Sequence, residues 1–278
     1  MIADIMSKLI LIAIGFLFFL GACKPLVLEA IVLPDHQEIT CDDYATHVIA
    51  NGVLYNNVWN KRAADNAGYR QCLVMHGDGQ SIRYGWSWDW PVSSRHIFAQ
   101  PQIKIGSSPW DPNPKFGDDL PLRVSEISEM KLAHDLDVIS NGNFNIAATM
   151  WLTHQEIPNR DSIAAELMIW TYYTPGQLRP GGSKVDTFMI DGLEWQLWEQ
   201  LEWGDKSGVN QQQWRHTAFR LAEPKLKVEF DAHALIVKAV ERGSIDSMWY
   251  VADLELGTEL MGGQGLAWVD QFDVQIVR

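Results

Sequence analysis

Two segments place a carboxylate among apolar residues: Glu166 in Glu166-Leu167-Met168-Ile169-Trp170, and Glu259 in Gly257-Thr258-Glu259-Leu260. Two opposed carboxyl groups are the minimum equipment for cleaving a glycosidic bond, one serving as acid and the other as base or nucleophile. Period-2 alternation puts Glu166, Met168 and Trp170 on one face of a strand and Leu167, Ile169 and Thr171 on the other. A Glu facing a core is very costly unless paired, so this strand either lines a cleft or turns Glu166 to solvent. Met and Trp are poor choices for a plain exposed face, which favours the cleft.

The elements that must position these acids read as strands. Short alternating segments, among them Ile163 to Tyr172, Leu193 to Leu201 and Trp249 to Leu256, are punctuated by Gly, Pro, Asn and Asp. One helix is predicted over Phe230 to Arg242, where Ala232, Leu235, Ile236, Ala239 and Val240 recur at helical spacing behind Asp231 as a cap. The chain holds 13 Trp, a heavy load, since a buried indole needs a partner and sugar faces suit flat aromatic surfaces. Trp86, Trp88 and Trp90 share a face, as platforms along a groove, as core, or as a mixture of the two. Trp59 and Trp110 lie beside turn-like sequence, where exposed aromatics are easier to supply; Trp59 is the better candidate for stacking on sugar.

The ends and the composition set the compartment. Residues 9 to 20 are apolar behind Lys8, too short to span a bilayer comfortably, and read as a signal-peptide core. Leu20-Gly21-Ala22-Cys23 resembles a bacterial lipoprotein cleavage site, making 1–22 a signal peptide, Cys23 the lipidated residue and 23–38 a short tether; an ordinary secretory signal is the alternative. The catalytic domain is then expected over 39–278. Lys24 in place of an acidic residue after Cys23 favours the outer membrane of a Gram-negative bacterium, on its periplasmic or cell-surface face. A net charge of −13 argues against nucleic acid and against electrostatic docking on anionic lipid, leaving the lipid at Cys23 as the membrane contact. With 47% hydrophobic residues one core is affordable in a single large domain, and a monomer is expected. Cys41 and Cys72 remain, and export makes a disulfide their natural pairing, with two buried thiols as the alternative.

The segment Glu166 to Trp170 resembles the E-x-M-I-W strand of glycoside hydrolase family 12, the endo-β-1,4-glucanases and xyloglucanases. Asn51 to Trp59 resembles that family's N-G-x-Y-x-x-N-N-x-W region, and Gly68-Tyr69-Arg70-Gln71-Cys72 the segment after it, whose Cys is disulfide-bonded to one placed as Cys41 is here. Leu120 to Ser125, Phe144 to Leu152, Trp195 to Trp198, Trp214 to Phe219, and Gly257-Thr258-Glu259 with Gly262-Gly263 follow in the family's order. The resemblance covers roughly Cys41 to the C-terminus. It implies an all-β fold, a two-sheet antiparallel jelly-roll sandwich with a concave groove and one packed helix. It also implies Glu166 as nucleophile and Glu259 as general acid/base of a retaining endo-glucanase acting on cellulose-like chains, mixed-linkage glucan or xyloglucan.

Binding roles come with it. Trp59 would stack on sugar in a donor-side subsite with Asn57 hydrogen-bonding nearby, Met168 would touch the ring beside the nucleophile, and Trp170 and Trp110 would join the substrate contacts. The plainer readings are Met168 as gap filler and Asn57 as a turn residue. Thr149 stands where the family usually has Asp, which removes a like charge beside the nucleophile or alters specificity. The reading from another class is a non-catalytic glycan-binding surface lipoprotein.

No cofactor is implied. The eight His show no H-E-x-x-H spacing and there is no Cys-x-x-Cys, so no zinc site is expected. Asp111, Asp118 and Asp119 read as a solvated acidic loop rather than a calcium site. Neither a Gly-x-Ser-x-Gly nor a phosphate loop occurs.

Overall fold

The computed structural model describes residues 28–78, 81–93, 95–110, 115–175, 179–204 and 212–278. The signal segment 1–22, Cys23 and Asp111 lie outside the described residues. In chain order the elements are β1 (Gln37–Thr40), β2 (Thr46–Ile49), β3 (Gly52–Tyr55), β4 (Arg70–His76), β5 (Arg83–Trp90), β6 (Gln102–Gly106), β7 (Leu122–Arg123), β8 (Glu129–Ser140), β9 (Asn145–Thr153), β10 (Ile163–Tyr173), β11 (Ser183–Ile190), β12 (Leu193–Gly204), β13 (Gln213–Leu221), β14 (Lys227–Asp231), α1 (Ala232–Glu241), β15 (Tyr250–Val251), β16 (Asp253–Gly257) and β17 (Gly263–Val277).

They form two sheets. The back sheet runs β1-β4-β5-β17-β8-β14, and the front sheet β11-β12-β13-β10-β9-β16-β6-β3-β2 with β7 and β15 beside it. Alternation along each strand explains why they pack: Leu167 and Ile169 of β10, Ala148 and Met150 of β9, and Leu254 and Leu256 of β16 enter the core between the sheets. The opposite residues of the same strands are left to build a site on the outer face of the front sheet. Among the described strands one pairing departs from the antiparallel expectation. β10 and β13 run parallel, Glu166 opposite His216 and Met168 opposite Ala218, because β11, β12 and β13 form a meander whose last strand returns alongside β10.

Trp86, Trp88 and Trp90 all lie in the core, so none of the three is a stacking platform. Trp86 Nε1 donates to Thr258 Oγ1 (2.9 Å) and Trp90 Nε1 to Gln71 Oε1 (2.9 Å), while Tyr69 and Phe98 sandwich the Trp90 ring. The helix forms where its periodicity places it. Asp231 caps it by accepting from the Ala234 N–H, and Leu235, Ile236 and Ala239 are buried. The Cys41–Cys72 disulfide is present and joins the end of β1 to β4. The end of the expected tether is not free: Leu33 packs against the patch of Cys72, Val74, Leu266 and Trp268 on the outer side of the back sheet.

Candidate active site

Strand β9 is the axis of the site. β10 lies on one side of it, with Glu166 opposite Trp151, Met168 opposite Thr149 and Trp170 opposite Ala147. β16 lies on the other, with Glu255 opposite Thr149 and Gly257 opposite Ala147. Glu166 and, just past the end of β16, Glu259 thus flank the same strand on the same face.

Glu166 is held through one oxygen. His216 Nδ1 of β13 donates to its Oε2 at 2.9 Å, and Trp214 Nε1 donates to the same atom at 3.2 Å. Both donors come from β13 because the parallel register sets His216 directly opposite Glu166. Trp203 stacks on the His216 ring with centroids 4.9 Å apart. Trp110, Trp151 and Trp214 meet edge to face, 5.1 to 5.7 Å between centroids, and close this end of the site with indole surface.

Glu259 is clamped by Asn145, the first residue of β9. Asn145 Nδ2 donates to Oε2, and the Glu259 N–H donates to Asn145 Oδ1 at 3.0 Å. Next to it Thr258 is tied through the core to Trp86. The chain then turns at Gly262 and Gly263, whose φ of 125° and 83° favour glycine; a Cβ on Gly262 would meet the Pro91 carbonyl oxygen at 2.3 Å. Burial pushes the Glu259 carboxyl up to about 7; the Asn145 hydrogen bond opposes that rise and the Glu166 charge adds to it. The two acids are therefore near enough to feel each other.

Between them lies a floor of two kinds. Met168 and Trp170, expected at the substrate, are buried there with Ala147, Ala218 and Met261 and shape the floor from below. Thr149 is also buried and accepts from Gln100 Nε2 at 3.3 Å. Across β16 and β6 it adjoins Asp253, Glu255 and Lys104, all buried. Burial raises the Asp253 carboxyl to about 6, and burial together with the Asp253 charge holds Glu255 well above the ordinary carboxylate value, while Lys104 opposes both shifts. The carboxylate missing at 149 thus has a counterpart directly opposite, on the next strand.

Asn57 and Trp59 sit on the loop after β3, half-buried. The Asn57 carbonyl accepts from the Gln100 N–H at 3.0 Å, and the Asn60 N–H bonds the Phe98 carbonyl at 3.0 Å. The 98–100 segment in turn pairs with Leu260 beside Glu259, so Trp59 belongs to the Glu259 side and Trp110 to the Glu166 side. His216, Trp214, Asn145, Glu255, Asp253 and Lys104 were not singled out in the sequence. Their signal was alternation within strands, which needs the strand order before it says what faces what. Among the described residues the one group with metal-like spacing is Glu38 with the disulfide cysteines, whose sulfurs are committed to each other.

The profile of glycosyl hydrolase family 12 matches residues 51–276. Endoglucanase S of Pectobacterium parmentieri is 25% identical over 225 residues, covering 80% of this chain and 81% of that protein. Among solved structures, a family 12 xyloglucanase from Bacillus licheniformis in complex with ligand superposes with a TM-score of 0.73 at 23% identity, covering 86% of this chain and 99% of that one. A metagenome-derived glycoside hydrolase family 12 endoglucanase gives 0.68 at 28% identity, with 86% and 96% covered.

Proposed function

The chain belongs to glycosyl hydrolase family 12, and from that premise we propose that it is a retaining endo-β-1,4-glucanase of soluble β-glucans, with Glu166 as nucleophile and Glu259 as general acid/base. The observation that carries this is the pair of carboxyls flanking β9: one bound by two donors, the other buried with its pKa raised to about 7. A retaining reaction needs carboxyls about 5 to 5.5 Å apart, one ionised to attack the anomeric carbon and one protonated to release the leaving oxygen. In the first step Glu166 forms a bond to that carbon as the glycosidic bond breaks, and the Glu259 proton passes to the leaving sugar. In the second step Glu259 takes a proton from water, which displaces Glu166 and frees the glycosyl unit.

The test is reducing-sugar release from barley β-glucan and from xyloglucan. Glu166→Gln and Glu259→Gln should each lower it by about 10³-fold or more while sparing binding; unchanged turnover in either variant overturns the assignment. Xyloglucan belongs in the panel because the Bacillus licheniformis protein that shares the fold is a xyloglucanase. We propose further that the enzyme works as a monomer, exported and held at the outer membrane by lipid on Cys23. Support comes from the apolar run 9–20 and Leu20-Gly21-Ala22-Cys23. Labelled palmitate should enter the wild type and be lost in Cys23→Ser, and gel filtration of the chain from residue 24 should give one protomer.

A further inference from the structure

The carboxylate of Glu166 is bound asymmetrically. Among the described residues both of its donors, His216 Nδ1 at 2.9 Å and Trp214 Nε1 at 3.2 Å, converge on Oε2, which leaves Oε1 as the oxygen presented for attack. The imidazole is 3% exposed and lies against the Trp203 ring at 4.9 Å, so its plane is fixed before substrate arrives. Its Nε2 is buried and has no hydrogen-bond partner among the described residues. A proton on Nδ1 is therefore the tautomer that leaves no buried N–H without an acceptor.

We propose that His216 is a positioning residue of the reaction, acting through Glu166: its Nδ1–H fixes which carboxylate oxygen attacks and stabilises the carboxylate as it departs from the sugar. The inference rests on Glu166 being the nucleophile. When Oε1 bonds to the anomeric carbon, Oε2 becomes the ester carbonyl oxygen, and its bond from Nδ1 weakens as the negative charge leaves. When water attacks that carbon the C–Oε1 bond breaks, its electron pair returns to the carboxylate, and the proton of the water goes to Glu259. The Nδ1–H···Oε2 bond is then charge-assisted again and stronger. The histidine keeps its proton throughout. Its contribution therefore falls on the second step, release of the sugar from the enzyme, more than on the first. Trp214 supplies a second donor to the same oxygen, so removing His216 weakens the hold without abolishing it.

The test uses 2,4-dinitrophenyl β-cellobioside, whose good leaving group makes release of the sugar rate-limiting. In His216→Ala, kcat should fall about 10- to 100-fold and KM should fall with it, so that kcat/KM changes far less, with a burst of dinitrophenolate near one per enzyme. His216→Asn carries an amide N–H close to the place of Nδ1 and should recover most of the loss. Unchanged kcat and KM per active site in His216→Ala overturn the proposal, as does an Asn variant no better than Ala. Labelling wild type and variants with 2,4-dinitrophenyl 2-deoxy-2-fluoro-β-cellobioside separates the two readings. A label on Glu166 with unaltered His216→Ala kinetics sinks the role of His216 alone, and a label on another carboxylate sinks the nucleophile assignment with it.

Discussion

Asn145 and Glu259 grip each other at three points: Asn145 Nδ2 on the carboxylate, the Glu259 N–H on Asn145 Oδ1, and the Asn145 N–H on the Glu259 carbonyl. The first of these favours the charged form and holds the Glu259 pKa below where burial alone would put it. Asn145→Ala should therefore raise it above about 7, moving the alkaline limb of kcat/KM to higher pH. A pH–rate profile checks this, and a limb that stays or falls contradicts the geometry.

The same carboxyl also makes stability depend on pH. Its folded pKa of about 7 exceeds the ordinary carboxylate value, so the fold retains its proton after the unfolded chain has lost it. Stability from this group is fully present below the ordinary carboxylate pKa and is lost as pH rises through about 7. Glu259→Gln keeps an acceptor for Asn145 and abolishes the titration. It should gain on the order of 2–3 kcal/mol over wild type at pH 8 and little at pH 4. Urea unfolding at the two pH values measures the difference; equal gains at both would refute the linkage.

How much of the fold and the site is legible in the chain depends on how local each signal is. β10 and α1 were legible because alternation and helical spacing, with Asp231 as cap, are written within a dozen residues. The pair proposed as catalytic could be named because ordered motifs pointed to Glu166 and Glu259. By contrast, that Trp86, Trp88 and Trp90 share a face follows from period 2, but nothing local says which face meets the core. His216 was hidden for a related reason. Its value lies in a parallel pairing with β10 that skips over two intervening strands. The charges of β16 alternate with leucines as they would on a solvent-facing strand, and only the sheet order reveals that they are buried beside Thr149.

The disulfide closes a loop between residues 31 apart in sequence and fastens β1, an edge strand, to β4. Restricting a loop of that length in the unfolded chain stabilises the fold by about 3–4 kcal/mol in the chain-entropy account. Cys41→Ser and Cys72→Ser should each lower the urea midpoint accordingly. Because the bridge is on the back sheet, kcat at 25 °C should hold. A loss of kcat in a variant that remains folded would mean that the bridge reaches the site.

Thr149 is best understood through Glu255, directly opposite it on β16. Two buried acids, Asp253 and Glu255, already share Lys104 as their nearby cation, and both carboxyls are pushed toward the protonated form. An Asp at 149 would set a third carboxylate against this group, where like charges in opposed positions repel and burial magnifies the effect. Thr149→Asp should therefore cost about 2–4 kcal/mol at pH 7, with the loss shrinking toward pH 5 as the added acid takes up a proton. Thr149→Asp combined with Glu255→Gln should recover most of it, because the amide removes one of the acids that compete for the charge of Lys104. Thermal denaturation of the two single variants and the double variant gives the coupling. If the penalties simply add, Thr149 owes nothing to Glu255, and the absence of Asp at this position needs another cause.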